Sequence, residues 1–394
     1  MSGHPLGDVS VLALESGVSA PLCTRLLGDL GADVVKVERP GTGDVNRHWD
    51  TAVRGQSSAH VWVNRNKRSV ELDLKSEDGR EIARDLAERA DVVVQNFSPG
   101  AVERLGLDYE SLSAENEALI YLNVSGYGRD GPYRDRKAYD LVMQGETGLI
   151  SLTGSPDQPA KIPLSVCDIN AAMYGAIATL TALYRRETTG TGQEIEVTMF
   201  GGVLSWLGYF PLKYWHADEE PGRVGMRHHL LTPYGPYEAA DGKYVNLAVL
   251  SEPHWEAFCQ DVLEEPDLLE DSRFETNEAR VDNRDVLEAR LEELIVERPR
   301  DHWADRLAAA GIPWGDVNEL ADVLDHPQAH HLGMIEELET DDGPISVVDT
   351  PIELSDAELR RDPMPELGAD TVAVLHSLGY SADEIERLRA ADVI

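Results

Sequence analysis

The stretch with the most chemistry in it is KIPLSVCDINAAMYGAIATLTALYRRETTG, Lys161 to Gly190. It reads as a short apolar strand ending at one carboxylate, Asp168, with a long helix following at once. Ala171, Ala172, Gly175, Ala176 and Ala178 give that helix small side chains, so it can pack close to its neighbours. A lone Asp where a strand gives way to a helix is a common place for chemistry in α/β proteins. The plainer reading is a helix N-cap, because Asp there accepts hydrogen bonds from the first free N–H groups. On this stretch alone the cap is the more common case, so the rest of the chain has to decide. Cys167 beside it has the chemistry of a nucleophile, although such a residue is more often a small buried apolar one.

The elements that must position Asp168 are those of an α/β fold. VSVLAL (9–14), DVVKVE (33–38), SVELDL (69–74), DVVVQN (91–96), LIYLNVSGY (119–127) and QEIEVTMF (193–200) read as strands. Helices separate several of them, one of 13 residues starting at Ser19 and ended by Gly31, another capped by Ser76 and running to about Ala90. Strands apolar on both faces and alternating with helices indicate a parallel sheet covered on both sides, with ligands at the carboxyl ends of the strands. The first strand is followed by LESGVSAP rather than GxGxxG, so the tight glycine turn for a dinucleotide pyrophosphate is missing.

HADEEPGR (216–223) is a polar linker, and the texture then changes. A hairpin turning at Asp241-Gly242 and helices around Trp255, 283–298 and 300–310 indicate a smaller α+β domain. The expected organisation is 1–215 as the first part of a Rossmann-like parallel-sheet large domain, 216–224 as linker, 225–325 as the small domain, and 326–394 returning to the large one. The return contains a second hairpin, in GMIEELETDDGPISVVDTPIEL, and a closing helix, SADEIERLRA.

Composition narrows the partners. The 394 residues carry 72 acids against 35 bases, a formal charge of -37, and the acids are dispersed over the surface. That pattern suits a halophile's cytoplasm, where salt screens the self-repulsion, and it argues against nucleic acid or an anionic membrane as partner. Five of the seven lysines, Lys36, Lys67, Lys75, Lys137 and Lys161, fall in the first half with a group of arginines. That half is where a polyanionic small molecule would find cations. Three cysteines without CxxC spacing exclude a disulfide framework and indicate a reducing compartment. The adjacent pairs His228-His229 and His330-His331 do not share a helix face, and no HExxH is present, so no metal site is expected. No GxSxG supports a serine hydrolase, no apolar run is read as long enough to span a membrane, and no signal segment is seen.

Several segments together resemble the family III CoA-transferases: LLGDLGADVVKVERPGTGD, NRNKRSVELDLKSEDGR, DVVVQNFSPGAVERLGLDYESL, YLNVSGYGRDGPYRDRKAYDLVMQGETGL, the stretch around Asp168, TGTGQEIEVTMF and LGYSADEIERLRAADVI. The resemblance covers nearly the whole chain in order. It implies that Asp168 is the nucleophile and that two chains interlace as a homodimer. It implies CoA contacts at Arg39, Leu72, Lys75, Asn96, Phe97, Ala101, Arg104 and Lys137. CoA then enters as substrate and leaves as product, and no tightly bound cofactor is expected. Val18, Arg47, His48, Trp49, Tyr139, Asp140 and His228 are the expected wall of the pocket for a small carboxylate, with Arg227 and His229 beside His228 where relatives carry a glycine-rich lid. With the acidic surface, the resemblance points to succinyl-CoA as donor and mesaconate as acceptor. The same superfamily contains 2-methylacyl-CoA racemases, which need a His before the Asp in the place read here as KAYD. Tyr139 stands there, and tyrosine titrates too high for that proton transfer. A silent CoA-binding protein is the other alternative.

Overall fold

In a computed structural model, residues 3–394 are described. They fall into two compact units. The larger comprises residues up to Leu149, Ile162–Ala217 and His330–Ile394; the smaller comprises Ile150–Lys161 and Asp218–Ala329.

The larger unit is built on six strands, β1 Ser10–Leu14, β2 Asp33–Glu38, β3 Lys67–Glu71, β4 Val92–Gln95, β5 Ile120–Ser125 and β6 Gln193–Thr198. Every pairing is parallel, and the order is β3-β2-β1-β4-β5-β6. The chain winds outward from β1 in both directions, which opens a crevice beyond the carboxyl ends of β1 and β4. Alternate residues of each strand feed opposite faces. Val11, Ala13, Val92, Val94 and Leu122 pack on one face with Cys23 and Leu27 of helix Ser19–Asp29 and Ala171 and Ala172 of helix Val166–Thr189. Leu12, Leu14, Val93 and Tyr121 pack on the other with Ile82 and Ala87 of helix Glu77–Arg89. The C-terminal helices complete that second face through Leu375, Ile385 and Leu388. A Cβ on Gly175 would lie 3.0 Å from Cys23 Sγ and 3.1 Å from Leu122 Cδ2. The small-residue stripe is therefore what lets the two helices and the sheet close up.

Several details differ from the sequence reading. No strand precedes Asp168: residues 161–165 are irregular. Pro163 has no N–H for a ladder, and Leu164 is 63% exposed, so the apolar run is not a core strand. β3 starts two residues earlier than the alternation suggested. Met199 and Phe200 end no strand but open helix Met199–Trp206. Helix Val166–Thr189 is long and apolar enough, by length and composition, to cross a membrane, contrary to the sequence reading, and half of its apolar window is buried in the packing of this unit.

The smaller unit has the antiparallel sheet β7-β8-β9, Tyr234–Glu238, Tyr244–Ala248 and Trp314–Asp316, with a core around Trp255, Phe258, Leu287, Leu291 and Trp303. On sequence alone Ile150–Lys161 reads as part of the large domain, 1–215. In the fold those residues belong to the smaller unit because Gly225 N–H donates to the Gly154 carbonyl and the Arg223 guanidinium forks onto the carbonyls of Ser155 and Pro156. The last hairpin, β10 Ile335–Leu338 and β11 Ile345–Val348, lies in the larger unit.

Candidate functional site

A cavity of about 470 Å³ opens at the carboxyl ends of β1 to β4. Leu72 and Phe97 give it apolar walls, Ala101 lies on the short helix beyond, and Arg39, Lys75 and Arg104 stand around it. The latter three are exposed, and none enters an ion pair among the described residues. Unpaired point charges and guanidinium forks around an apolar slot suit a phosphorylated nucleotide. Six of the eight residues expected to meet CoA thus share one cavity. Asn96 does not line it. Its side chain accepts from Ser16 N–H and donates to the Ser16 carbonyl, which ties β4 to the loop after β1. Lys137 is exposed and outside the lining.

Below the cavity is a buried charged floor that the sequence did not disclose. Lys36 bonds Asp44 at 2.6 Å and reaches Glu15 at 3.5 Å, and Lys67 bonds Glu15 at 2.7 Å. Lys36 and Lys67 are therefore structural cations and not free for a polyanion. Glu15 and Asp44 pull the lysine Lys36 up, whereas burial takes Lys67 down to about 8. Asp44 also accepts from the Ser16 hydroxyl at 2.8 Å and from Gly17 N–H at 3.0 Å. The floor thereby fixes the loop Ser16–Val18 that leads to Asp168.

Asp168 lies in the first turn of helix Val166–Thr189 and is not its cap; the N-cap position is Ser165. The capping is done by Asp140, whose Oδ1 accepts from Cys167 N–H at 2.8 Å. Burial first, and then the Asp140 charge, push Asp168 up to about 7; a hydrogen bond from Ser19 opposes them. Ser19 is the first residue of helix Ser19–Asp29, and Asp168 itself stands in the first turn of its own helix, whose positive end favours the carboxylate. Ser16, in the cavity wall, and Ser19 are three residues apart, which limits their Cα separation to about 10 Å. Cys167 is buried and its thiol is pushed up to about 12 by burial and the neighbouring carboxylates, so it is no thiolate nucleophile.

The expected substrate wall is only partly assembled. Val18 is buried against the core cluster, one residue before Ser19. Arg47 forks onto Glu38, with bonds of 2.8 and 2.7 Å, so that guanidinium is spent inside the fold. His48 Nε2 pairs with the Thr42 carbonyl at 2.7 Å. Trp49 and Tyr139 are exposed, at 53% and 75%. His228 belongs to the smaller unit, where its ring lies 4.8 Å from Tyr234. Arg227, weighed as a carboxylate partner, is instead bound to Glu288, Glu292 and the Pro236 carbonyl. The sequence reading missed Glu15, Ser16, Ser19, Asp44 and Gln144. Of these, only Gln144 left a signal, standing at i+4 from Asp140 within one helical pattern.

The family model of CoA-transferase family III matches residues 6–371. The chain belongs to CoA-transferase family III. It is accordingly an enzyme that transfers CoA. The transferase is 36% identical to the succinyl-CoA:mesaconate CoA-transferase of Haloarcula marismortui, over 89% of this chain and 90% of that one. It is 32% identical to the human succinyl-CoA:glutarate CoA-transferase, over 99% of this chain and 90% of that one. Its fold matches the crystal structure of a CAIB/BAIF family protein from Brucella suis with a TM-score of 0.84 at 37% identity, covering 95% of the transferase and 99% of that chain.

Proposed function

We propose that the transferase moves CoA from succinyl-CoA to a small dicarboxylate, with mesaconate the preferred acceptor, by covalent relay on Asp168. The observation that carries this reading is that the cation-rimmed cavity is walled by Ser16, three residues before Ser19, whose hydroxyl lowers the carboxyl of the half-buried Asp168. The relative from Haloarcula marismortui supports the choice of acids.

In this mechanism the Asp168 carboxylate attacks the thioester carbonyl and CoA leaves as thiolate, giving a mixed anhydride. The thiolate then attacks the Asp168 carbonyl. Free succinate departs and an aspartyl-CoA thioester remains. The acceptor carboxylate attacks that thioester, a second anhydride forms, and thiolate attack on the acceptor carbonyl releases the new acyl-CoA and Asp168. Each step exchanges one acyl bond for another, so the thioester energy is conserved as long as water stays out. Backbone N–H groups near the first turn would hold the developing oxyanion. CoA is substrate and product, with no resident cofactor. An exchange assay pairing succinyl-CoA with mesaconate, glutarate and oxalate tests the acid preference. Mesaconate should give the highest kcat/KM; a higher value for either of the others would discard that assignment.

The cavity makes its own prediction. Arg104→Ala removes one unpaired guanidinium from the rim, and charge-assisted bonds contribute about 1.5–3 kcal/mol. Acyl-CoA KM should rise roughly tenfold or more with kcat nearly kept. An unchanged KM would move the nucleotide elsewhere.

We also propose that the transferase is a homodimer suited to concentrated salt. Met173, Ile177 and Tyr184 of helix Val166–Thr189 are exposed at 48%, 56% and 78%, and a second copy would cover them. A charge of -37 destabilises a compact chain less when screened. Sedimentation in molar KCl should give twice the chain mass, and dilute buffer should loosen the fold. A monomer in molar KCl contradicts the first statement, and equal stability in both buffers contradicts the second.

A further inference from the structure

The approach to Asp168 has no strand to hold it, yet it must be fixed. Ile162 is the first residue of the larger unit after the excursion Ile150–Lys161. Its backbone is held from both sides by one side chain, Gln144, which is fully buried in helix Asp140–Glu146. Gln144 Oε1 accepts from Ile162 N–H at 2.8 Å, and Nε2 donates to the Ile162 carbonyl at 3.1 Å. Nε2 also bonds the Leu164 carbonyl at 3.4 Å and Asp140 Oδ2 at 2.6 Å. The other oxygen of Asp140 accepts from Cys167 N–H, one residue before Asp168. One amide therefore joins the incoming backbone to the carboxylate that closes the first turn.

We propose that Gln144 is a positioning residue for the transfer reaction: it locks the approach segment and Asp140 into one rigid frame that aims Asp168. This rests on the reading of Asp168 as nucleophile. A side-chain amide suits the task because it supplies a donor and an acceptor in one plane and carries no charge that would compete with Asp140. A nucleophile displaced by 1 Å loses on the order of 10²-fold in rate. The groups facing Asp168 are Asp140 from this helix, Ser19 from helix Ser19–Asp29, and the Cys167 thiol from its own turn, which itself bonds Asp140. The frame thus also sets how close the Asp140 charge stands to the nucleophile.

The test uses the full chain with three variants. Gln144→Leu keeps the volume and removes every bond. Gln144→Glu keeps an acceptor for Ile162 N–H and loses the donor until it is protonated. Asp140→Asn removes the neighbouring charge and keeps an acceptor for Cys167 N–H. Exchange is followed across pH 5–9, with CoA binding and hydroxylamine labelling of Asp168 read in parallel. Gln144→Leu should lower kcat and the labelling rate by roughly 30- to 100-fold with the CoA Kd within about twofold. The activity of Gln144→Glu relative to the unaltered enzyme should rise as pH falls from 8 to 6. The acid limb of kcat should move down by about one unit in Asp140→Asn. Labelling of Asp168 in the unaltered enzyme, with folded variants whose kcat and acid limb do not change, overturns the positioning role alone. No labelling in the unaltered enzyme overturns the nucleophile and this role together. If Gln144→Leu fails to fold, the pH-dependent ratio of Gln144→Glu decides: a flat ratio overturns the proposal.

Discussion

Asp168→Asn is expected to lower CoA exchange by at least about 10³-fold while CoA still binds with unchanged affinity. Removing a covalent nucleophile commonly costs that much or more, since what remains is orientation and oxyanion stabilisation. The same substitution should stabilise the fold above neutral pH. Burial and Asp140 hold Asp168 up to about 7 in the folded chain, well above an unfolded value near 4. The fold therefore prefers the neutral form. Below about pH 4 both states carry the proton and the residue costs nothing. As pH rises toward 7 the unfolded state ionises first, and the fold loses that advantage. Above pH 7 the full cost is present. Three pH units correspond to about 4 kcal/mol, and solvent screening of this half-buried group brings the expected gain of Asp168→Asn to about 2 kcal/mol, a difference that should vanish near pH 4. Urea melts at pH 4.5 and pH 8 measure it. A variant less stable than the parent at pH 8 would show the carboxylate to be a structural anion. The acid limb of kcat should likewise fall near pH 7.

Glu15→Ala should be the most damaging change away from Asp168. Lys67 is fully buried, with Nζ bonded to Glu15, the Pro21 carbonyl and Asn64, and Lys36 lies 3.5 Å from the same carboxylate. Deleting Glu15 leaves the Lys67 amine buried without its carboxylate, either charged and unpaired or forced to give up its proton, which costs roughly 3–5 kcal/mol. Cutting the exposed pair Arg387–Asp78 should cost under about 1 kcal/mol. A second change, Lys67→Met, should return much of the loss, because it removes the orphaned charge. Denaturant midpoints of the single and double variants check this. If the double variant is no better than the single, the buried charges are not coupled.

What could be read from the sequence follows from how each feature is encoded. The strands of the parallel sheet announce themselves because Val11–Leu14 and Val92–Gln95 are buried on both faces and so are continuously apolar or nearly so. Part of the cavity rim is legible from the strand ends, since Arg39 follows β2 directly and Phe97 lies two residues past β4, whereas Lys75 lies four residues past the end of β3. The frame around Asp168 is not. Ile162 and Leu164 carry the apolar pattern of a strand, but their backbone groups are taken by Gln144, a long-range pairing that no local pattern records. Lys36 and Lys67 escape the sequence for a related reason. A lysine in a strand looks solvent-bound until the fold sets Glu15 and Asp44 beside it. Arg47 likewise has the look of a substrate cation in the sequence, and in the fold Glu38 faces it.

The most direct test of the account is mass spectrometry of the enzyme incubated with succinyl-CoA and hydroxylamine. An anhydride or thioester on Asp168 is trapped as a hydroxamate, and the peptide containing Asp168 should carry that modification and no other peptide should. Modification at a different residue, or an unmodified Asp168 in enzyme that binds CoA and turns over, would contradict the covalent relay.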